Sequence, residues 1–234
     1  MNRQRQVPTW LGAVLGTICA LFVLALGARA SDHRGAFTEE FHQTYALTPD
    51  GRVELDNING PVHISGWERN EVKVDAVKSA DSKERLDDAR IEVDSSAGRL
   101  SIRTKYRDHD LTFSWGSHHN PPSVEYTLTV PRTVRLDEIK LINGSVALTI
   151  PSDSKAEIEA STVSGGIDND FGLHVNNHRF VGHDLRGELG NGGPRIKLED
   201  VNGRIEIRHA SDGRALSPAK DLSHRDSDDE DDKI

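Results

Sequence analysis

The 234-residue chain has one cysteine and one methionine, and aromatic residues make up only 5% of it. A lone cysteine, Cys19, excludes an intramolecular disulfide framework and any CxxC-type zinc or redox site. Positive charge is also in short supply. The chain has 29 Lys+Arg against 38 Asp+Glu, a formal net charge of -9, which argues against the basic face that a nucleic-acid binder needs. No Gly-x-Ser-x-Gly elbow, HExxH pair or phosphate-binding glycine loop is found.

The two ends read as something other than fold. Arg3 and Arg5 precede an uncharged, largely apolar run from Trp10 to Gly27, followed by Ala28-Arg29-Ala30. That is the pattern of an export signal over residues 1–30, with cleavage before Ser31. The run is also close to the length that spans a bilayer, so an uncleaved single-pass anchor is the alternative. Cys19 lacks the small residue ahead of it that a lipoprotein signal requires. The expected location is therefore exported: periplasmic, cell surface or secreted. At the other end, residues 210–234 contain the run Asp226-Ser227-Asp228-Asp229-Glu230-Asp231-Asp232. It has almost nothing to bury, so a disordered acidic tail is expected there.

Between them, residues 31–209 alternate apolar and polar with a period of two. Val72, Val74 and Ala76 alternate with Lys73 and Asp75; Val124, Tyr126, Leu128 and Val130 lead up to Pro131; Val146, Leu148 and Ile150 lead up to Pro151. This is the pattern of half-buried strands. Ile91, Val93, Leu100 and Ile102 flank Ser95-Ser96-Ala97-Gly98 as a strand pair. Only Ser82 to Ala89 reads as helical, with Ser82 as N-cap.

One short motif recurs: an aliphatic residue, Asn or Ser, then Gly. It stands at Ile58-Asn59-Gly60, Ile142-Asn143-Gly144, Val163-Ser164-Gly165 and Val201-Asn202-Gly203, and each time an apolar residue opens a new strand two positions on. The reading is a sharp corner, with Asn and Gly chosen for positive φ and the aliphatic residue packed inward. A spacing near 20 residues points to coils of a β-solenoid. The alternative is an antiparallel β-sandwich, because Asn-Gly is also a strong hairpin signal.

The stretch Pro151-Ser152-Asp153, then Glu157 to Ile167, then Asp170-Phe171, resembles the repeat region of the DUF4097 family, bacterial adhesin-like β-strand-repeat proteins. Leu185 to Gly203 is similar to that family's glycine-rich segment and following repeat. The resemblance covers roughly residues 50–208. It implies a right-handed, single-stranded β-helix and carries no catalytic residues with it. Where the family often continues Gly-Asp after the turn, this chain has Pro61, Ser145, Gly166 and Arg204.

Candidate chemistry is sparse. His174-x3-His178 has a metal-ligand spacing, and His183 follows, but surface histidines without a helical frame are the simpler reading. Asp168-Asn169-Asp170-Phe171-Gly172 lacks the alternate carboxylates and distal Glu of a calcium loop and reads as a polar turn. Asn143-Gly144-Ser145 matches a glycosylation triplet and equally the turn motif. Glu157, Glu159, Glu199 and Asp200 are the acids that stacked coils would bring together for glycoside hydrolysis. Phe113 and Trp115, beside His118 and His119 in a polar loop, form a candidate contact surface.

The resulting expectation is a non-enzymatic, exported cell-envelope module, adhesin-like in its binding or structural role. Its partner would be a polysaccharide or protein of the envelope or exterior, with no nucleic acid, no cofactor and no metal; a membrane enters only if the signal is uncleaved. The alternatives are a carbohydrate-active β-helix enzyme and a membrane-anchored envelope sensor or accessory protein.

Overall fold

Period-two patterning produces strands along nearly the whole of the computed structural model, which describes residues 37–107, 121–178 and 181–223. The signal segment, the acidic run, and the contact residues Phe113, Trp115, His118 and His119 lie outside the described residues. Among the described residues no helix is long and apolar enough to cross a membrane. In chain order the strands are β1 (Phe37–Ala46), β2 (Arg52–Asn59), β3 (Val62–Trp67) and β4 (Glu71–Ala80). The short helix α1 (Lys83–Leu86) follows, with the Ser82 hydroxyl accepting the Arg85 N–H at 3.3 Å as the expected N-cap. Next come β5 (Ala89–Ser96), β6 (Arg99–Tyr106), β7 (Ser123–Pro131), β8 (Arg135–Ile150) and β9 (Ala156–Ser164). The chain continues with β10 (Ile167–Asn169), β11 (Asn176–Asn177), β12 (His183–Leu189), β13 (Arg195–His209) and β14 (Ala219–Asp221).

All fourteen strands join in one mixed, open sheet. Its centre is parallel, made of β2, β3, β8, β13, β9 and β10, with β6 and β7 also parallel to β2 and β3. Its flanks are antiparallel: β1 with β4, β4 with β7, β5 with β6, and β12 with β9, β11 and β14. The sheet folds over along a line of corners. The first half of β8 pairs with β2 and the second half with β3. The first half of β13 pairs with β9 and the second with β10.

The two arms made this way face each other across one apolar cluster. Contacts run between them: the Tyr126 hydroxyl on β7 lies 2.8 Å from Thr104 Oγ1 on β6, and Lys78 on β4 donates to the Ala89 carbonyl on β5 at 3.2 Å. Each corner switches which alternate residues point inward. The last inward residues before the corners are Asn57, Leu141, Thr162 and Asp200, and the next are Val62, Val146, Ile167 and Ile205, five positions later every time. An odd step is what carries one continuous strand path around a bend while keeping its apolar side in the core.

The all-β class and the strand-by-strand alternation therefore hold. Parallel, in-register stacking of the four motifs is the arrangement a solenoid uses. The order is different, because the four units stack as β2, β8, β13, β9, with the last in sequence inserted between the second and third. An antiparallel sandwich does not describe the sheet either, since its central ladders are parallel. One irregularity escapes the period-two reading. Both neighbours of β8 skip a residue against Asp137-Glu138, so β8 carries a bulge there and its inward residues jump from Leu136 to Ile139.

Candidate functional site

The register gathers the four motifs into one row. Asn59 lies opposite Asn143, Asn143 opposite Asn202, and Asn202 opposite Ser164. Their side chains satisfy each other and the neighbouring loop. Asn202 Nδ2 donates to Asn143 Oδ1 at 3.0 Å, and Asn59 Nδ2 donates to the Pro121 and Pro122 carbonyls, both at 3.2 Å.

Gly60, Gly144, Gly203 and Gly165 follow in the same register, and here the expected reason for glycine needs correcting. Only Gly60 and Gly165 have positive φ, 117° and 152°. Gly144 and Gly203 are required by close approach. A Cβ on Gly144 would run into the Gly60 carbonyl, one on Gly203 into the Gly144 carbonyl, and one on Gly165 into the Gly203 carbonyl. A Cβ on Gly60 would meet the Val124 carbonyl. The glycines are shingled, each backbone lying against the carbonyl of the next.

The aliphatic residues ahead of the corners also differ from expectation. They point outward, because Asn57, Leu141, Thr162 and Asp200 immediately before them take the inward side. Ile58 is 38% exposed, Ile142 40% and Val163 51%, with Val201 half-buried between the last two. At the usual strand spacing this ridge is about 14 Å long. Val181, also exposed, precedes Gly182, which lies against the Val163 backbone at that end of the ridge.

The inward row at the same level is unusually polar for a core. It reads Thr104, Asn57, Leu141, Asp200, Thr162 and His183 across β6, β2, β8, β13, β9 and β12. Asn57 is fully used. Its amide nitrogen donates to the carbonyls of Asn59, Gly60 and Val124, and its oxygen accepts from Thr104 at 2.9 Å. Thr162 donates to the Gly203 carbonyl at 3.2 Å. Asp200 is 2% exposed, and neither carboxylate oxygen has a hydrogen-bond partner. Burial pushes its carboxyl up to about 6, partly offset by the Val201 and Asn202 N–H groups, which approach without reaching hydrogen-bond geometry.

The remaining sequence candidates are dispersed or spent on structure. His178 pairs with Asp184, His183 with Asn177 at 2.6 Å, and His174 is exposed. Among the described residues no three His, Cys, Asp or Glu side chains converge on a metal-sized site. Asn169 caps the turn through the Leu173 N–H and carbonyl, both at 2.9 Å, Asp168 pairs with Arg204, and Phe171 is buried, so the expected polar turn is confined to Asp170-Phe171, with Asp168 and Asn169 in strand β10. The acids proposed for glycoside hydrolysis split between faces: Glu159 pairs outward with Arg195 and Glu199 with Lys197, while Asp200 points into the core.

One constellation went unseen in the sequence. Ser152 Oγ lies 2.6 Å from Asp212 Oδ1, 3.2 Å from His209 Nδ1 and 3.0 Å from the Ala210 carbonyl. The residue types are those of a nucleophilic triad, but the carboxylate contacts the serine directly and does not orient the histidine. Ser152 is 1% exposed, so the group clamps the segment after β13 onto the turn after β8. The Ser152 hydroxyl, then its N–H, holds the exposed Asp212 carboxyl down to about 2.

No family model matches the chain, and no curated protein matches it. Three solved structures align with 74% of it. A "putative cell adhesion protein" from Clostridium sporogenes is 12% identical, covered over 100% of its own length, with a TM-score of 0.35. A "putative adhesin" from Bacteroides fragilis is 8% identical, covered over 97%, with a TM-score of 0.27. A "putative adhesin" from Parabacteroides merdae is 8% identical, covered over 97%, with a TM-score of 0.21. Scores this low carry no argument about this chain.

Proposed function

We propose that the chain is an exported, non-enzymatic module of the bacterial cell envelope, a solenoid-like corner stack whose outward ridge holds a partner protein. The observation that carries this reading is the ridge of Ile58, Ile142, Val201 and Val163, one aliphatic side chain from each of four in-register corners. A contiguous apolar strip on a rigid frame is what a protein contact uses. The corner amides beside it are already bonded to one another and to the loop. Among the described residues the ridge has no aromatic ring on which a sugar would stack, which favours a protein over a polysaccharide.

The test is the double substitution Ile142→Asp and Val163→Asp in the mature chain. Cosedimentation with envelope fragments of the source bacterium is measured before and after protease treatment of the fragments. The reading expects wild-type binding that protease abolishes. It also expects at least a tenfold loss in the variant, with its circular dichroism spectrum unchanged. Full binding by the folded variant refutes the ridge. Binding that survives protease transfers the role to a polysaccharide, and product release from envelope polysaccharide would restore the enzyme reading.

A further inference from the structure

Asp200 stands at a position whose requirements are visible two strand-places away. In the first corner, Asn57 aims an N–H donor at the carbonyl oxygens of its own corner, Asn59 and Gly60. Asp200 holds the equivalent place in the fourth corner, inward and two residues ahead of the row formed by Asn59 and Asn202. An ionised carboxylate has no donor to offer. One of its oxygens lies beside Gly203, in the space a Cβ there would take and that the Gly144 carbonyl oxygen also borders. Two acceptor oxygens thus converge in the core, and the nearby Val201 and Asn202 N–H groups do not reach hydrogen-bond geometry with the carboxylate, an arrangement costly for an anion and favourable for an acid that carries its proton.

We propose that Asp200 is carried in the native fold as a neutral carboxylic acid whose hydroxyl donates to the corner carbonyls, in the role Asn57 fills in the first corner, so that the β8–β13–β9 corner stack is fastened by a proton and loosens when that proton leaves.

Among the described residues the surroundings supply no counter-charge. On β8 the facing residues are Leu141 and Gly144, on β9 Thr162, on β10 Ile167, and on β2, beyond β8, Asn57. Thr162 has committed its hydroxyl to the Gly203 carbonyl. The charged residues of β13 nearest in sequence face outward, Glu199 to Lys197 and Arg204 to Asp168. His183 on β12, beyond β9, is the titratable group sharing the row.

Burial raises the Asp200 carboxyl from 3.8 to about 6. The folded state therefore binds this proton more tightly than the unfolded chain does. The stability it confers is complete below pH 3.8 and is lost as pH rises through about 6. Over that window the folding equilibrium constant changes by roughly 100-fold.

The test uses the mature chain with the Asp200 carboxyl carbon labelled for NMR, alongside the variants Asp200→Asn and His183→Gln. In wild type the carboxyl resonance should titrate near pH 6, and the protection of the Gly144 and Gly203 amides, their exchange relative to the intrinsic base-catalysed rate, should fall at least tenfold between pH 5 and pH 7.5. Asp200→Asn should abolish that loss of protection and raise the melting temperature at pH 7.5. His183→Gln should keep the wild-type pH response. A carboxyl midpoint near 4 overturns the proposal, as does an unchanged pH response in Asp200→Asn or its loss in His183→Gln. Should Asp200→Asn fail to fold, the wild-type carboxyl titration decides alone.

Discussion

Gly203→Ala places one methyl group where the Gly144 carbonyl oxygen and a carboxylate oxygen of Asp200 already lie. The φ of Gly203 is not positive, so alanine can adopt the backbone and the whole cost is steric. The carboxylate side chain can swing aside. The Gly144 carbonyl cannot, because it belongs to β8, and Gly144 itself lies against the Gly60 carbonyl. Admitting the methyl means parting β8 from β13 at the corner. Overpacking costs about 1–3 kcal/mol, and the parted strands weaken one or two ladder bonds and the Thr162–Gly203 bond at about 1 kcal/mol each, for a total of about 3–6 kcal/mol. Gly166→Ala is the control. It sits at the same bend with open space around its Cβ and ordinary φ, and should be neutral or stabilising by about 0.4–1 kcal/mol. Urea unfolding followed by circular dichroism measures both. If Gly203→Ala shifts the midpoint no more than Gly166→Ala, the glycine row is a sequence habit and the steric argument fails.

Other outcomes follow from the same contacts. Tyr126→Phe removes the hydroxyl that meets Thr104 across the core, and should cost about 1–2 kcal/mol in the same urea assay. Burial holds the Tyr126 phenol well above its ordinary value and pushes that of Tyr106 up to about 12, so phenolate absorbance from neither should develop below pH 11 unless the fold opens first. Ser152→Ala removes the main donor to Asp212. The stabilisation that Asp212 contributes is present above pH 3.8 and lost as pH falls toward 2, so in the variant its carboxyl midpoint should rise toward 3.8. Residues 210–217 should then be cut faster by protease at neutral pH, and an unchanged cleavage rate would show that the clamp is not what seats them.

Much of this was legible in the chain because strand burial is a local property. Val72, Val74 and Ala76, or Val124 through Val130, announce an inward face by alternation alone, and Ser82 announces its helix by its hydroxyl. The corners were legible as corners. Their sidedness was misread, since Ile58, Ile142, Val163 and Val201 look like core residues by composition. A signal that could have corrected this was present: counting by twos from Ile196 and Leu198 lands on Asp200, and from Ile158 and Ala160 on Thr162, so the aliphatic next in line must face out. The same count would have removed Asp200 from the solvated acids. The strand order was not legible. Nothing local distinguishes a strand that extends a stack from one that inserts into it, and the β8 bulge depends on both neighbours.

That insertion gives the glycine row its logic. β13 lies between β8 and β9, so its corner must be narrow on both flanks, accepting the Gly165 backbone on one side and leaning on the Gly144 carbonyl on the other. The leaning runs one way along the row, from Gly165 to Gly203, Gly144, Gly60 and finally the Val124 carbonyl. That last carbonyl, with no further corner behind it, is where the Asn57 amide donates at 2.8 Å. One end of the shingle is thus closed by an amide and a tyrosine–threonine pair, fully satisfied at any pH at which the fold survives. Two places along, where β13 enters last in sequence, the same inward position holds a carboxyl group whose fit depends on a proton. The corner that the chain completes last is therefore the one whose closure solution conditions can adjust.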